Sequence, residues 1–159
     1  MKPNSFNRLL DLHSEIDAIF FAHQCALLRF DFINALALLD SYKTQLQKHM
    51  LDEEDILIPI YSARKRATGA GAPVIFLDDH IKMRSFVDLF EKRTAELYSV
   101  SHPELELIQL LDREAFYKRL CSHHDKRERE FLYPVLDEVT TDEERTEILC
   151  RVAAVIDNN

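Results

Sequence analysis

The chain has 159 residues, 47% of them hydrophobic and 30% charged, with a formal charge of −8. This length and composition suit one globular domain and exclude a disordered chain, and the acidic surplus with no basic stripe argues against nucleic acid or an anionic membrane as a partner. Only 2 glycines and 5 prolines are present, too few turn residues for an all-β protein, so long helices are expected.

Hydrophobic periodicity near 3.6 residues predicts five helices. The first runs from about Ser5 to Arg29, with Leu9, Leu12, Ile16, Ile19, Phe20 and Leu27 on its apolar face. Asp31 punctuates a short turn. The second runs from about Asn34 to Arg66, with Leu38, Leu39, Tyr42, Leu46, Ile56 and Ile60 inward. Pro59 lies inside it. A proline lacks the N–H and crowds the carbonyl four residues back, so a kink or restart is expected near Leu57–Ile58. The stretch Thr68-Gly69-Ala70-Gly71-Ala72-Pro73 reads as a linker. The third helix spans about Val74 to Tyr98 and ends at the turn Ser99–Pro103. The fourth spans about Glu104 to Asp137 and again carries a late proline, Pro134. Thr141-Asp142-Glu143-Glu144 reads as a capping box that opens a last helix ending near Ile156.

The expectation is therefore an all-α fold in one domain over residues 1–159. It would be an antiparallel up-down-up-down four-helix bundle over about 5–137, with a short C-terminal helix over about 141–156. No apolar signal core follows Met1–Ser5, and no apolar run approaches the roughly 20 residues of a membrane span, so a cytoplasmic location without membrane association is expected. Cys25, Cys121 and Cys150 are odd in number and far apart, which fits a reducing compartment and a role as small buried hydrophobes.

The histidines carry the chemistry. His49-x3-Glu53 is followed by Pro59, and His124-x3-Glu128 by Pro134, so the same His–Glu–Pro spacing occurs twice. Asp11-Leu12-His13 on the first helix echoes Asp78-Asp79-His80 on the third. In a helical hairpin, two residues face each other when the turn lies midway between them. The midpoint of His13 and His49 falls at Asp31, and that of His80 and His124 at His102, both in turns. The midpoint of His23 and His49 falls inside the second helix, so His13 is preferred to His23. Spacing i, i+4 places His and Glu on one helix face. His13 with His49, and His80 with His124, would each offer two nitrogens to one ion, and Glu53 and Glu128 would bridge the pair. Mixed imidazole and carboxylate ligation suits iron, with manganese or zinc as alternatives.

This pattern resembles the hemerythrin-like family, or HHE cation-binding domain, over roughly Phe6 to Asp137. The residues that carry the resemblance are His49-Met50-Leu51-Asp52-Glu53-Glu54 with Ile58-Pro59, Asp79-His80, and His123-His124-Asp125-Lys126-Arg127-Glu128 with Tyr133-Pro134. It implies a four-helix bundle with a non-haem di-iron centre, ligated by His13, His49, Glu53, His80, His124 and Glu128. Oxygen-carrying hemerythrins add a histidine one turn after the third-helix ligand, where this chain has Arg84. They also place the last carboxylate one residue further on, as Asp, where this chain has Glu128. The resemblance is thus to hemerythrin-like proteins of iron sensing, stress response or repair of iron centres rather than to reversible oxygen carriers. Two imidazoles, two carboxylate oxygens and an oxo or hydroxo bridge leave an iron, which prefers about six donors, with a free position for O2, peroxide or NO.

The expected function is binding of, or reaction with, such a small ligand in oxidative or nitrosative stress or iron homeostasis. An oxidant scavenger, an iron donor for repair and a sensor stay open. The alternative is a metal-free structural bundle acting as a protein-interaction module. In that case Glu53 and Glu128 need cations such as Lys48, Arg84 or Arg127, because a buried carboxylate without a partner costs several kcal/mol. Around the ligands, His23, Glu54, Arg84 and His123 are candidates to support the site or to serve as alternative ligands; His23 otherwise reads as a helix-surface or packing residue, and Glu54 and Asp125 as solvated charges or, more rarely, ligands. The outer apolar faces could support a homodimer.

Overall fold

A computed structural model describes residues 5–152, and among these there is no strand. The helices are α1 (Leu9–Leu28), α2 (Phe32–Asp52), α3 (Ile58–Arg64), α4 (Pro73–Leu97), α5 (Glu104–Arg127), α6 (Tyr133–Val139) and α7 (Asp142–Val152). None is long and apolar enough to cross a membrane. Helix α1 packs on α2, α2 on α4, α4 on α5, and α5 touches α1 again. The α1–α2 turn is tight: Phe30 adopts φ +59°, and Asp31 caps α2 by accepting the Asn34 N–H at 3.2 Å. The caps therefore fall where the sequence places its turns.

The second and fourth predicted helices are each broken by a π-helical turn, Glu53–Leu57 between α2 and α3, and Glu128–Leu132 between α5 and α6. Each precedes a proline in the first turn of the next helix, Pro59 and Pro134. The wider turn is the chain's answer to a missing N–H and a crowding ring. It also changes the helix phase. Ile56 and Ile60, expected inward, are half-buried, whereas Leu57, Ile58 and Tyr61 are buried. A periodicity argument assumes an unbroken 3.6-residue repeat, and the extra residue of the π turn moves the inward face by one position.

Two apolar cores follow. One lies among the long helices and contains Leu12, Ile16, Phe20, Leu39, Leu46, Met50, Met83, Val87, Phe90 and Tyr117. The other, at one end, contains Phe6, Leu9, Leu57, Phe76, Leu132, Tyr133, Leu136 and Ile148. On each long helix a polar residue separates the two: His13 follows Leu12, Glu53 lies between Met50 and Leu57, His80 between Phe76 and Met83, and His124 and Glu128 between Tyr117 and Leu132. The end core is closed by α7. The expected capping box is present, with Thr141 Oγ1 accepting the Glu144 N–H at 3.2 Å and Glu144 Oε2 accepting the Thr141 N–H at 2.9 Å. The Ser5 hydroxyl and Phe6 N–H both donate to Asp137, which fastens the start of the described chain beside α6. At the linker, the Tyr61 hydroxyl donates to the Gly71 carbonyl at 2.8 Å, and a Cβ on Gly71 would lie 3.0 Å from that hydroxyl. The predicted end of the last helix near Ile156 lies outside the described residues. The cysteines depart from expectation: Cys25 and Cys121 are half-buried and Cys150 is exposed, because position 150 falls on the outer face of α7.

Candidate metal centre

The six residues singled out by spacing meet in the polar layer between the two cores. His80, Glu53 and Glu128 are fully buried, and His13, His49 and His124 are at most 8% exposed. The Nε2 atoms of His13 and His49 lie 2.8 Å apart, and those of His80 and His124 lie 3.2 Å apart. Both turn-symmetric pairs therefore face each other. The carboxylates link the pairs. Glu53 places Oε1 3.6 Å from His49 Nε2 and Oε2 3.3 Å from His80 Nε2. Glu128 places Oε1 2.8 Å from His124 Nε2 and Oε2 3.5 Å from His13 Nε2. Each glutamate thus presents one oxygen to each histidine pair. Two sets of converging ligand atoms result, His13–His49–Glu53–Glu128 and Glu53–His80–His124–Glu128, with the atoms of each set within 4.8 Å of one another. Such buried clusters could hold metal ions.

Hydrogen bonding alone does not satisfy the cluster. Glu53 Oε2 and Glu128 Oε1 are buried and lack a properly aligned hydrogen-bond donor, although imidazole nitrogens are close. Buried carboxylate oxygens are rarely left so. The cations that could neutralise the glutamates are engaged elsewhere: Lys48 with Asp52, Arg84 with Glu54, and Arg127 with Asp79. In their place two of the imidazoles, His13 and His124, favour the charged form. Burial opposes charge on His13, but the Asp125 carboxylate 3.3 Å from Nδ1 and the fields of Glu128 and Glu53 outweigh it and raise its pKa to about 9. Burial likewise opposes charge on His124, yet Glu128 beside it raises its pKa to about 9. His49 goes the other way, to about 3, because burial disfavours its charged form and Glu53 only partly offsets this. Glu128 is held at about 2, its burial outweighed by His124 and His13. The interior therefore demands cationic charge, which divalent or trivalent ions would supply in place of protons.

A second layer of carboxylates stands behind the imidazoles. His80 Nδ1 is 2.8 Å from Glu54 Oε1, His124 Nδ1 is 3.4 Å from Asp79 Oδ2, and His13 Nδ1 is 3.3 Å from Asp125 Oδ1. Carboxylates in this position fix the ring orientation and tautomer of metal-ligating histidines. Glu54 and Arg84, picked out from sequence, do join this layer: Glu54 holds His80 and is held by Arg84 at 2.9 Å. Asp125, read as a solvated charge, is instead half-buried against His13. His123 is exposed and points away from the cluster. His23 is not a surface residue but fully buried, at a different place: Nδ1 lies 2.8 Å from the Ala35 carbonyl and Nε2 2.9 Å from Glu114 Oε1, and Glu114 also accepts from Gln24.

Two contributors were not singled out by the sequence: Asp79 has no role there, and Tyr133 reads, with Tyr42, Tyr61 and Tyr117, only as a core or rim residue. Asp79 adjoins a candidate ligand and faces α5, but a carboxylate next to a histidine in sequence is too common a signal. Tyr133 is fully buried, and its hydroxyl lies 3.1 Å from Glu53 Oε1, 3.2 Å from Glu128 Oε2 and 3.2 Å from His13 Nε2. Five residues after Glu128, it would sit about 140° off that face in a regular α-helix. The π turn brings it back, and its signal was Pro134 rather than any spacing.

Comparison with protein-family models, with curated proteins and with solved structures finds no match to this chain.

Proposed function

We propose that the chain is a hemerythrin-like di-metal protein: an antiparallel four-helix bundle that holds two non-haem iron ions and binds or reacts with O2, peroxide or NO. The observation that carries this reading is the shared pair of glutamates, each aiming one oxygen at each of two facing histidine pairs in a buried layer between two apolar cores. Two salt-bridge partners would neutralise a lone carboxylate equally well; four imidazoles arranged around two divided carboxylates suit two cations a short distance apart. The antiparallel arrangement is supported by the same contacts, since His13–His49 and His80–His124 meet across turns at their sequence midpoints.

On this reading His13 and His49 would hold one ion and His80 and His124 the other, with Glu53 and Glu128 each offering an oxygen to both. The ion pair, when bound, supplies Lewis acidity and reversible redox change. The protein supplies the rest. Asp125, Glu54 and Asp79 orient three of the imidazoles so that each Nε2 points inward. Tyr133 places a hydroxyl proton within hydrogen-bonding reach of both glutamates. The two apolar cores on either side limit water. Arg84, where oxygen carriers have a histidine, is tied to Glu54 and supports His80 from outside. This leaves fewer nitrogen donors and favours reaction with small oxidants, or iron transfer, in stress response or iron homeostasis over reversible oxygen storage.

The first test is metal content of anaerobically purified protein and its absorption spectrum after exposure to air. About two irons per chain with charge-transfer bands, both lost in His49→Ala and His124→Ala, is the expected result. Folded protein that takes up neither iron, manganese nor zinc would overturn the reading and favour a metal-free interaction module.

A further inference from the structure

Two cavities meet on the α1–α5 side of the molecule. The outer one, of about 460 Å³, opens between these helices past Phe20, Phe21, Gln24 and Lys118. The inner one, of about 20 Å³, lies against His13, His49 and His124, with Ile16, Leu46, Met50 and Met83 forming apolar wall. Four residues line both: Asp17, Tyr42, Cys121 and Asp125. They form the neck between solvent and the histidine cluster. A further surface cavity, of about 580 Å³ near Leu97 and Leu110, shares no residue with the cluster.

We infer that this double cavity is the passage by which a diatomic or peroxide-sized molecule reaches the His13–His49 side of the cluster, with Cys121 as the residue that sets the width of its neck. The inference rests on the di-metal reading for what the molecule meets at the inner end, but the passage itself is a property of the chain. The inner volume is about that of one water position, so it passes a molecule of two or so heavy atoms and excludes a sugar, an amino acid or a nucleotide. His80 lines neither of these two cavities and is fully buried behind Glu54, whereas His13, His49 and His124 line the inner one. Tyr42 cannot widen the neck without cost, because its hydroxyl is locked to that of Tyr117 at 2.6 Å in the core. Cys121 is the smaller and half-exposed member. Burial pushes its thiol up to about 12, so it stands in the neck as a neutral, compact S–H rather than as an anion that would capture metal or react.

The test uses full-length protein with Cys121→Ala, Cys121→Met and, as a control away from both cavities, Cys25→Ala. In di-ferrous protein, stopped-flow mixing with nitric oxide should show faster binding in Cys121→Ala, slower binding by severalfold in Cys121→Met, and the wild-type rate in Cys25→Ala. Iron content and the final spectrum should be the same in all four. Equal rates in both Cys121 variants would overturn the inference. A second measurement needs no metal: crystals of metal-free protein under xenon pressure should hold xenon in the inner cavity in wild type and in Cys121→Ala but not in Cys121→Met. Failure to bind iron together with this xenon pattern would sink the di-metal reading and leave the passage standing. No xenon in the wild-type inner cavity would sink the passage.

Discussion

Glu54, Asp79 and Tyr133 are the single residues on which the cluster most depends beyond the six residues proposed as ligands. Glu54→Ala frees the His80 ring to turn, and Asp79→Asn weakens the acceptor facing His124 Nδ1. Each change is expected to weaken metal binding by about 10–100-fold, read by competition with a chelator, with the fold unchanged by circular dichroism. Unaltered affinity in both would remove the second layer from the account. Tyr133→Phe deletes the hydroxyl that lies near both Glu53 and Glu128. Urea unfolding of the metal-free variant should show a loss of about 1–3 kcal/mol, because it leaves buried acceptors unsatisfied. Histidine identity and pairing were legible at this scale, since i, i+4 spacing and turn midpoints are local geometry. Asp125 was misjudged because a residue beside a ligand can be buried by a neighbouring helix that sequence spacing does not place.

At the scale of elements, the capping box of α7 is a local device with a local test. Thr141→Ala should destabilise the protein by about 1 kcal/mol through loss of the cap, measured by denaturant midpoint at neutral pH. Glu144 ties this cap to the bundle, since it accepts from Thr141 and pairs with Arg64 at 2.7 Å. Hydrogen bonding to Arg64 and to the Thr141 N–H holds Glu144 at about 2, below its ordinary 4.5. A depressed carboxylate contributes stability that is present in full above pH 4.5 and is lost as the pH falls towards 2. Over that window the stability of Glu144→Gln should decline less steeply than that of the wild type. An identical slope would show that the exposed pair contributes nothing. The π turns belong to this scale too. Both prolines announced a break, but a proline alone does not distinguish a kink from a wider turn. The choice depends on which side chains must then reach the interior, here Tyr61 and Tyr133.

For the whole molecule, a metal bound as proposed would act as a ligand of the folded state alone. The cluster gathers residues from α1, α2, α4, α5 and the two π turns, and an unfolded chain cannot assemble it. Free metal at a hundred times its dissociation constant should therefore stabilise by about 2.7 kcal/mol, seen as a rise in Tm that a chelator reverses. In His49→Ala the rise should be much reduced. A wild-type Tm indifferent to metal would contradict binding at this cluster.

What the sequence determined by itself was the helical class, the turns, the capping box and the two histidine pairs with their glutamates. All of these follow from short-range periodicity and from the symmetry of a hairpin about its turn. Tertiary structure alone decided which oxygen faces which nitrogen, that Lys48, Arg84 and Arg127 serve other carboxylates, that His23 is buried with Glu114, and that Tyr133 reaches the centre. These depend on how helices far apart in sequence are rotated against one another. A single π turn changes that rotation by a whole residue, more than any local propensity records.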